Sequence, residues 1–200
     1  MSHMTHYQEI TIIPDPDIAP YFIWSKLFNQ VHIALAEIKN KHSIESIGVS
    51  FPDYHYDKKE KSSKLGLKLR VFAPSSDELV KLQINRWLNK LTDYVEIGFI
   101  EEVGNNRTGY VSVHRYRFKP AEIQAQTLSK KLSIGYDEAM VTVAKRKPEM
   151  ALPFIQMRSQ TNNSNYRLKV LQQACSEPKA GQFSVYGMNG MRDAVTVPHW

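Results

Sequence analysis

Residues Leu67–Glu78 read LKLRVFAPSSDE, and the two halves of that stretch decide the fold. Leu67, Leu69 and Val71 alternate with Lys68 and Arg70, the period-two pattern of a strand with one buried and one wet face. Ser75 and Glu78 then stand at capping-box spacing, which predicts that a helix opens there. Upstream, Ile47–Phe51 (IGVSF) reads as a strand stopped by Pro52, and the charged stretch 53–64 as a surface loop. Before it, Trp24, Leu27, Phe28, Val31, Leu35 and Ile38 fall on one stripe at three- and four-residue steps, which predicts a helix over 21–39. Tyr7–Ile13 reads as a strand, ended by Pro14-Asp15-Pro16-Asp17. Downstream, Val95, Ile97 and Phe99 alternate as another strand. The order is β-α-β-β-α-β, the ferredoxin-like arrangement, which is also the RRM-like sheet that presents single-stranded RNA.

The run Gly104-Asn-Asn-Arg-Thr-Gly109 breaks the pattern and sets the expected boundary between a ferredoxin-like domain, 1–103, and a basic α+β domain, 104–200. The fold class is therefore α+β. In the second part Tyr110–Phe118 alternates as a strand, so that Arg115 and Arg117, two apart, point to one side. Pro120 opens a helix running to Leu132, and a second helix covers 137–145. Phe154–Arg158, Tyr166–Leu171 and Gln182–Tyr186 read as strands, the first two flanking a polar turn.

Charge divides along the same line. Residues 1–100 carry 12 Lys and Arg against 12 Asp and Glu, and residues 101–200 carry 14 against 8. The whole net charge of +6 sits in the second half. A neutral scaffold joined to a basic face points to a polyanion, and nucleic acid leads that class. Between Arg115 and Lys169 the cations include Arg115, Arg117, Lys119, Lys130, Lys131, Arg158, Arg167 and Lys169, interleaved with Tyr116, Phe118 and Tyr166. Cations neutralise phosphates and aromatic rings stack on bases.

Several classes fall away. No apolar run reaches the length of a membrane helix, and no secretory leader is evident, so no membrane partner is expected. Met1-Ser2-His3 reads as a vector-derived leader ahead of a native Met4. The single cysteine, Cys175, allows no internal disulfide and points to the cytoplasm. The histidines lack ligand spacing, no HExxH, paired CxxC or GxxxxGK[ST] is present, and neither a metal nor a cofactor is expected.

Three residues stand out for chemistry. His32 lies at the flank of the first helix's apolar stripe, where an imidazole can be half buried and still reach a groove; it titrates near neutrality and suits proton transfer. A lone His there is more often a packing residue, and its position alone leaves both readings open. Ser159 ends a strand before the polar turn, an ordinary place for a turn-forming Ser. Tyr186 stands beside glycine in FSVYGMNG (183–190), where close backbone approach or simple core packing both fit.

Taken together, PDP (14–16), LFNQVHIAL (27–35), IGVSFPD (47–53), KLGLKLRV (64–71), LPFIQMRSQ (152–160), NYRL (165–168), VYGM (185–188) and VPHW (197–200) resemble, in order and over nearly the whole chain, the CRISPR repeat-processing endoribonuclease of type I-F systems. The resemblance implies an N-terminal ferredoxin-like domain and a basic C-terminal domain that bind the repeat hairpin of precursor crRNA. It implies metal-independent cleavage at the 3′ base of the stem by attack of a ribose 2′-OH, leaving a 2′,3′-cyclic phosphate and a 5′-OH, with the mature crRNA retained among the other subunits of a surveillance complex. It makes His32 the general base, Ser159 the residue that positions the attacking ribose and Tyr186 the one that orients the histidine. Tyr166 falls where Phe is common and packs on the base of the stem; Arg115 reads a G in the stem. Other readings consistent with the cations are a hairpin-binding adaptor that does not cut, an RRM-like RNA binder with His32 as a core residue, and a metal-dependent nuclease.

Two departures carry consequences. Arg117 stands where the family often has Gln, and Arg suits the O6 and N7 of guanine where Gln suits adenine. A hairpin whose last two base pairs both present G to Arg115 and Arg117 is therefore expected. The helix after Lys119, arginine-rich in relatives, offers Lys130 and Lys131 here, which implies a weaker phosphate grip and a shallower salt dependence.

Overall fold

The structure is a computed structural model that describes residues 3–60, 62–105, 107–117, 120–145, 151–159, 163–192 and 194–200. It divides into two compact units, residues 1–116 together with 152–200, and residues 117–151. The fold is α+β with antiparallel sheets.

In the larger unit, β1 (His6–Ile12), β2 (Gly48–Ser50), β5 (Lys68–Ala73) and β6 (Val95–Glu102) form a sheet in the order β2-β5-β1-β6. Helix α1 (Pro20–His42) connects β1 to β2, and α2 (Ser76–Leu82) with the one-turn α3 (Ile84–Trp87) connects β5 to β6. The β-α-β-β-α-β order is thus present, with one insertion. The stretch expected as a surface loop carries a hairpin, β3 (His55–Asp57) against β4 (Ser62–Lys64); its residues are mostly exposed, so no apolar alternation announced it.

The strand of the opening stretch runs to Ala73 and pairs with β1 on one side and β2 on the other. Leu69 and Val71 are buried as their alternation required, and Arg70 is buried on the other face because Glu9 accepts from its Nε at 2.7 Å and the Trp200 carbonyl from its Nη1 at 3.0 Å. The capping box does not form. Ser75 is the N-cap but makes no side-chain cap bond, and Glu78 instead accepts from the Ser46 hydroxyl across the fold.

The second sheet has the order β10-β7-β9-β8, from β7 (Gly109–Tyr116), β8 (Phe154–Arg158), β9 (Asn165–Cys175) and β10 (Val197–His199). It shares one core with the first: Ile10 and Leu69, Phe28 of α1, and Val113 and Val170 belong to a single buried cluster. The break expected at 104–109 is therefore the connection between two sheets of one compact unit, and the compact units divide at 116/117 and 151/152. Helix α1 packs against β8, and the Ser25 hydroxyl donates to the Gln156 carbonyl at 2.6 Å.

The smaller unit holds α4 (Ala121–Leu132) and α5 (Tyr136–Ala144), joined over Ala125, Ala139 and Val143. Pro120 is the N-cap of α4 rather than its first helical residue. Two strand expectations change. β7 ends at Tyr116, so the same-face argument for Arg115 and Arg117 stops one residue short. Gln182–Tyr186 forms no strand; single backbone hydrogen bonds, not a ladder, hold the segment.

Candidate active site

His32 sits on α1, four residues beyond Phe28, with its ring half-buried. The Val185 carbonyl lies 2.8 Å from Nδ1. A carbonyl oxygen only accepts, so Nδ1 carries the hydrogen, and the neutral ring keeps its lone pair on Nε2. The other ring nitrogen is the one left to take a proton. Burial, the largest influence, holds the imidazole below its ordinary pKa; the Val185 bond pulls it up and the Arg115 cation pushes it down. The neutral, proton-accepting form is therefore the resting state near neutral pH.

The segment that supplies that carbonyl is bolted down at both ends. The Phe183 N–H donates to Glu45 O at 2.8 Å, and the Val49 N–H to Gly187 O at 2.9 Å. Gly187 has φ +65°, and a Cβ there would stand 2.7 Å from a Val49 methyl carbon and 3.3 Å from its backbone nitrogen. Only glycine combines that conformation with that approach. On the far side, Asn189 is 2% exposed; its Nδ2 donates to the carbonyls of Val113 and Val195 at 3.2 and 2.7 Å, and its Oδ1 accepts from the Val195 N–H at 3.1 Å. Its backbone bridges β7, the Arg115 N–H donating to Asn189 O at 3.0 Å. The turn between, residues 184–187, presents Tyr186 to α1.

Tyr186 lies flat on His32, and the guanidinium of Arg115 stands 4.3 Å from the Tyr186 ring centre and 5.5 Å from that of Tyr166. The two tyrosine hydroxyls are 2.8 Å apart. The structure thus brings His32, Tyr186, Tyr166 and Arg115 into one contact group, drawn from α1, the 184–187 turn, β9 and β7.

Ser159 follows β8 directly. Its N–H donates to Ser164 O at 2.8 Å and its carbonyl accepts from Asn163 at 3.0 Å. It stands two residues beyond Met157, the β8 partner of Tyr166, and its hydroxyl makes no hydrogen bond to His32. Arg158 is exposed at the end of the same strand. Arg117, Lys130 and Lys131 are exposed on the unit 117–151. Lys119 lies outside the described residues, as do Phe118, Arg146, Lys147 and Gln160.

The close approach expected of the glycines in FSVYGMNG occurs at Gly187; sequence reading missed the Val185 carbonyl and Asn189. The glycine and asparagine in YGMN were the available signal, since both residue types serve where a backbone is crowded or turned. Among the described residues no three His, Cys, Asp or Glu side chains gather as metal ligands, and no helix is long and apolar enough to cross a membrane.

A family described as CRISPR-associated protein (Cas_Csy4) matches residues 7–200. The CRISPR-associated endonuclease Cas6/Csy4 of Pseudomonas aeruginosa (strain UCBPP-PA14) is 33% identical over 195 residues, covering 93% of this chain and 96% of that protein. The protein of the same name from Escherichia coli (strain UTI89 / UPEC) is 28% identical over 199 residues, covering 98% and 99%. With the match running from the first residues of β1 to the last residue of the chain, this protein belongs to the Cas_Csy4 family of CRISPR-associated proteins.

Proposed function

We propose that this chain is the endoribonuclease that processes CRISPR repeat RNA: it binds the repeat hairpin of precursor crRNA, cuts at the 3′ base of the stem without a metal ion, and stays on the product beside other subunits of a surveillance complex. Endonuclease is the activity named for both relatives. The observation that carries the chemistry is the hydrogen bond from His32 Nδ1 to Val185 O at 2.8 Å, which leaves Nε2 as a neutral base.

In the reaction, the 2′-OH of the nucleotide before the cut gives its proton to His32 Nε2. The 2′ oxygen bonds to the adjacent phosphorus, the bond from phosphorus to the 5′ oxygen breaks, and the leaving oxygen takes a proton from solvent. The products are a 2′,3′-cyclic phosphate and a 5′-OH. Ser159 is assigned to hold the ribose, and Arg115, Arg117, Lys119, Lys130, Lys131, Arg158 and Tyr166 to hold the stem. A fixed hairpin supplies the in-line geometry, which is a positioning effect, and the cations supply affinity that weakens with salt.

The test uses a repeat hairpin with EDTA present, an otherwise identical RNA carrying 2′-deoxy at the nucleotide before the cut, and His32→Ala. Scission of the all-ribose RNA in EDTA with cyclic-phosphate ends, none of the deoxy RNA, and binding without scission by His32→Ala support the reading; the loss expected for His32→Ala is at least 10²-fold, the usual size for a general base. Wild-type binding without scission would instead make the chain an adaptor, and scission only with added magnesium would overturn the mechanism.

A further inference from the structure

His32 is held on one edge by a backbone carbonyl, but its plane is set by a side chain, Tyr186, and what sets Tyr186 decides how steadily Nε2 points. Besides its packing on the main core, that ring meets the imidazole at 4.0 Å, the Arg115 guanidinium at 4.3 Å, and the hydroxyl of Tyr166 at 2.8 Å from its own. They do different jobs. A tyrosine hydroxyl lies on the axis about which the ring spins, so a hydrogen bond there fixes where the ring reaches. The flanking imidazole and guanidinium limit its spin. Stacking alone is soft, since a ring can slide over its neighbour at little cost.

Tyr166 is well placed to be the fixed end. It is the second residue of β9, opposite Met157 of β8, in a strand that three residues further on, from Lys169, is paired with β7 as well. In the neighbouring pair, Arg158 with Asn165, Arg158 immediately precedes Ser159. One strand pair therefore sets both the entry to Ser159 and the far end of the plate behind the imidazole.

We infer that Tyr166 is a positioning residue for His32, acting through the hydrogen bond between its hydroxyl and that of Tyr186. The kinetic consequence rests on the cleavage chemistry proposed above. A phenylalanine at 166 keeps the ring and any packing it provides, and loses only the pin. The hydroxyl thus adds a function beyond stacking on RNA: it ties the second sheet to the helix that carries the imidazole.

The experiment compares Tyr166→Phe, Tyr186→Phe and the double variant. Single-turnover cleavage of a repeat hairpin at saturating protein, where a change of Kd does not register, is expected to slow about three- to ten-fold in Tyr166→Phe, the range that loss of one hydrogen bond produces when expressed as a rate. Tyr186→Phe removes the other half of the same bond, so the double variant should be no slower than the slower single. A wild-type rate in Tyr166→Phe, a loss confined to Kd, or losses that multiply in the double variant would each overturn the inference. A second readout needs no RNA. The stacked Tyr186 ring shields the ring protons of His32, and in Tyr166→Phe their proton NMR shifts should move toward those of a free imidazole at unchanged Tm. Unchanged shifts overturn the inference; should the wild-type chain fail to cut RNA, the function falls and these shifts alone decide the role of Tyr166.

Discussion

The ring of Tyr186 covers His32 with the two centroids 4.0 Å apart and the planes 7° from parallel. With one face under a phenol and Nδ1 committed to Val185, the imidazole has a single nitrogen left for a substrate proton. That nitrogen is basic only while the ring is neutral. Burial favours the neutral ring, and the nearby Arg115 cation does the same.

The first expectation concerns pH and rate. Cleavage of a bound hairpin should rise with pH as His32 loses its proton and level off once the ring is neutral. Because the pKa in the free protein is lowered, the midpoint of kcat/KM, which reports the free enzyme, should fall below the ordinary imidazole value of about 6.5. Single-turnover rates at subsaturating protein from pH 5 to 8 read this directly. A midpoint above that value would mean that the imidazole is not the titrating base.

The same groups govern stability. His199 is half-buried as well, its pKa lowered by burial and by the Arg70 cation, with Nδ1 buried and lacking a hydrogen-bond partner among the described residues. A histidine whose folded pKa is depressed binds its proton more tightly in the unfolded chain. Stability from His32 and His199 is then fully present above about pH 6.5 and is lost as pH falls from there through their folded pKa values. Tm should drop over that window, and His199→Gln, which removes one of the two titrations, should flatten the drop. A Tm that is level from pH 7 to 5.5 contradicts this.

Gly187 makes the turn possible, and a methyl group there is expected to be felt at both the fold and the site. The left-handed conformation costs an alanine about 1–2 kcal/mol, and the added Cβ meets Val49 at 2.7 Å. Gly187→Ala should lower unfolding free energy by roughly 2–4 kcal/mol, measured by urea denaturation. It should also slow cleavage in the protein that remains folded, because Val185 O and Tyr186 are carried by the same turn. Full activity together with normal stability would show that the turn tolerates the methyl and that its close approach to Val49 is inconsequential.

How far the sequence reached follows from the kind of signal each element carries. The alternation of Leu67 to Val71 and the stripe from Trp24 to Ile38 are repeated apolar patterns, and both elements formed where expected with only their ends moved. The β3–β4 hairpin is held by backbone pairing between mostly exposed residues, none of them buried, so no burial pattern could announce it. Ser75 and Glu78 had the right spacing for a cap, but Ser46, brought close by the fold, took the carboxylate; local spacing cannot foresee a partner 32 residues away in the chain. At the site, His32 and Tyr186 stood out by position and took their roles from resemblance, while the bond that fixes the tautomer comes from a backbone carbonyl. Every residue has one, so none stands out in a sequence.

Arg115 makes the last expectation a divided one. Its guanidinium lies over Tyr186 and bears on the imidazole, and it is also assigned, with Arg117, to read guanine at the base of the stem. Exchanging either G for A should weaken binding by about 1–3 kcal/mol, the usual discrimination of a two-pronged arginine contact. Substituting the arginines separates the roles. Arg117→Gln should change only base preference, toward adenine. Arg115→Gln should change base preference and also raise the pH midpoint of kcat/KM, because removing a cation relieves the repulsion that disfavours the protonated ring. Binding curves for the four purine combinations, taken with pH–rate profiles for both variants, give the answer. If Arg115→Gln leaves the midpoint where it was, the cation does not act on His32; if neither variant alters the preference for G, the two arginines hold phosphates and do not read bases.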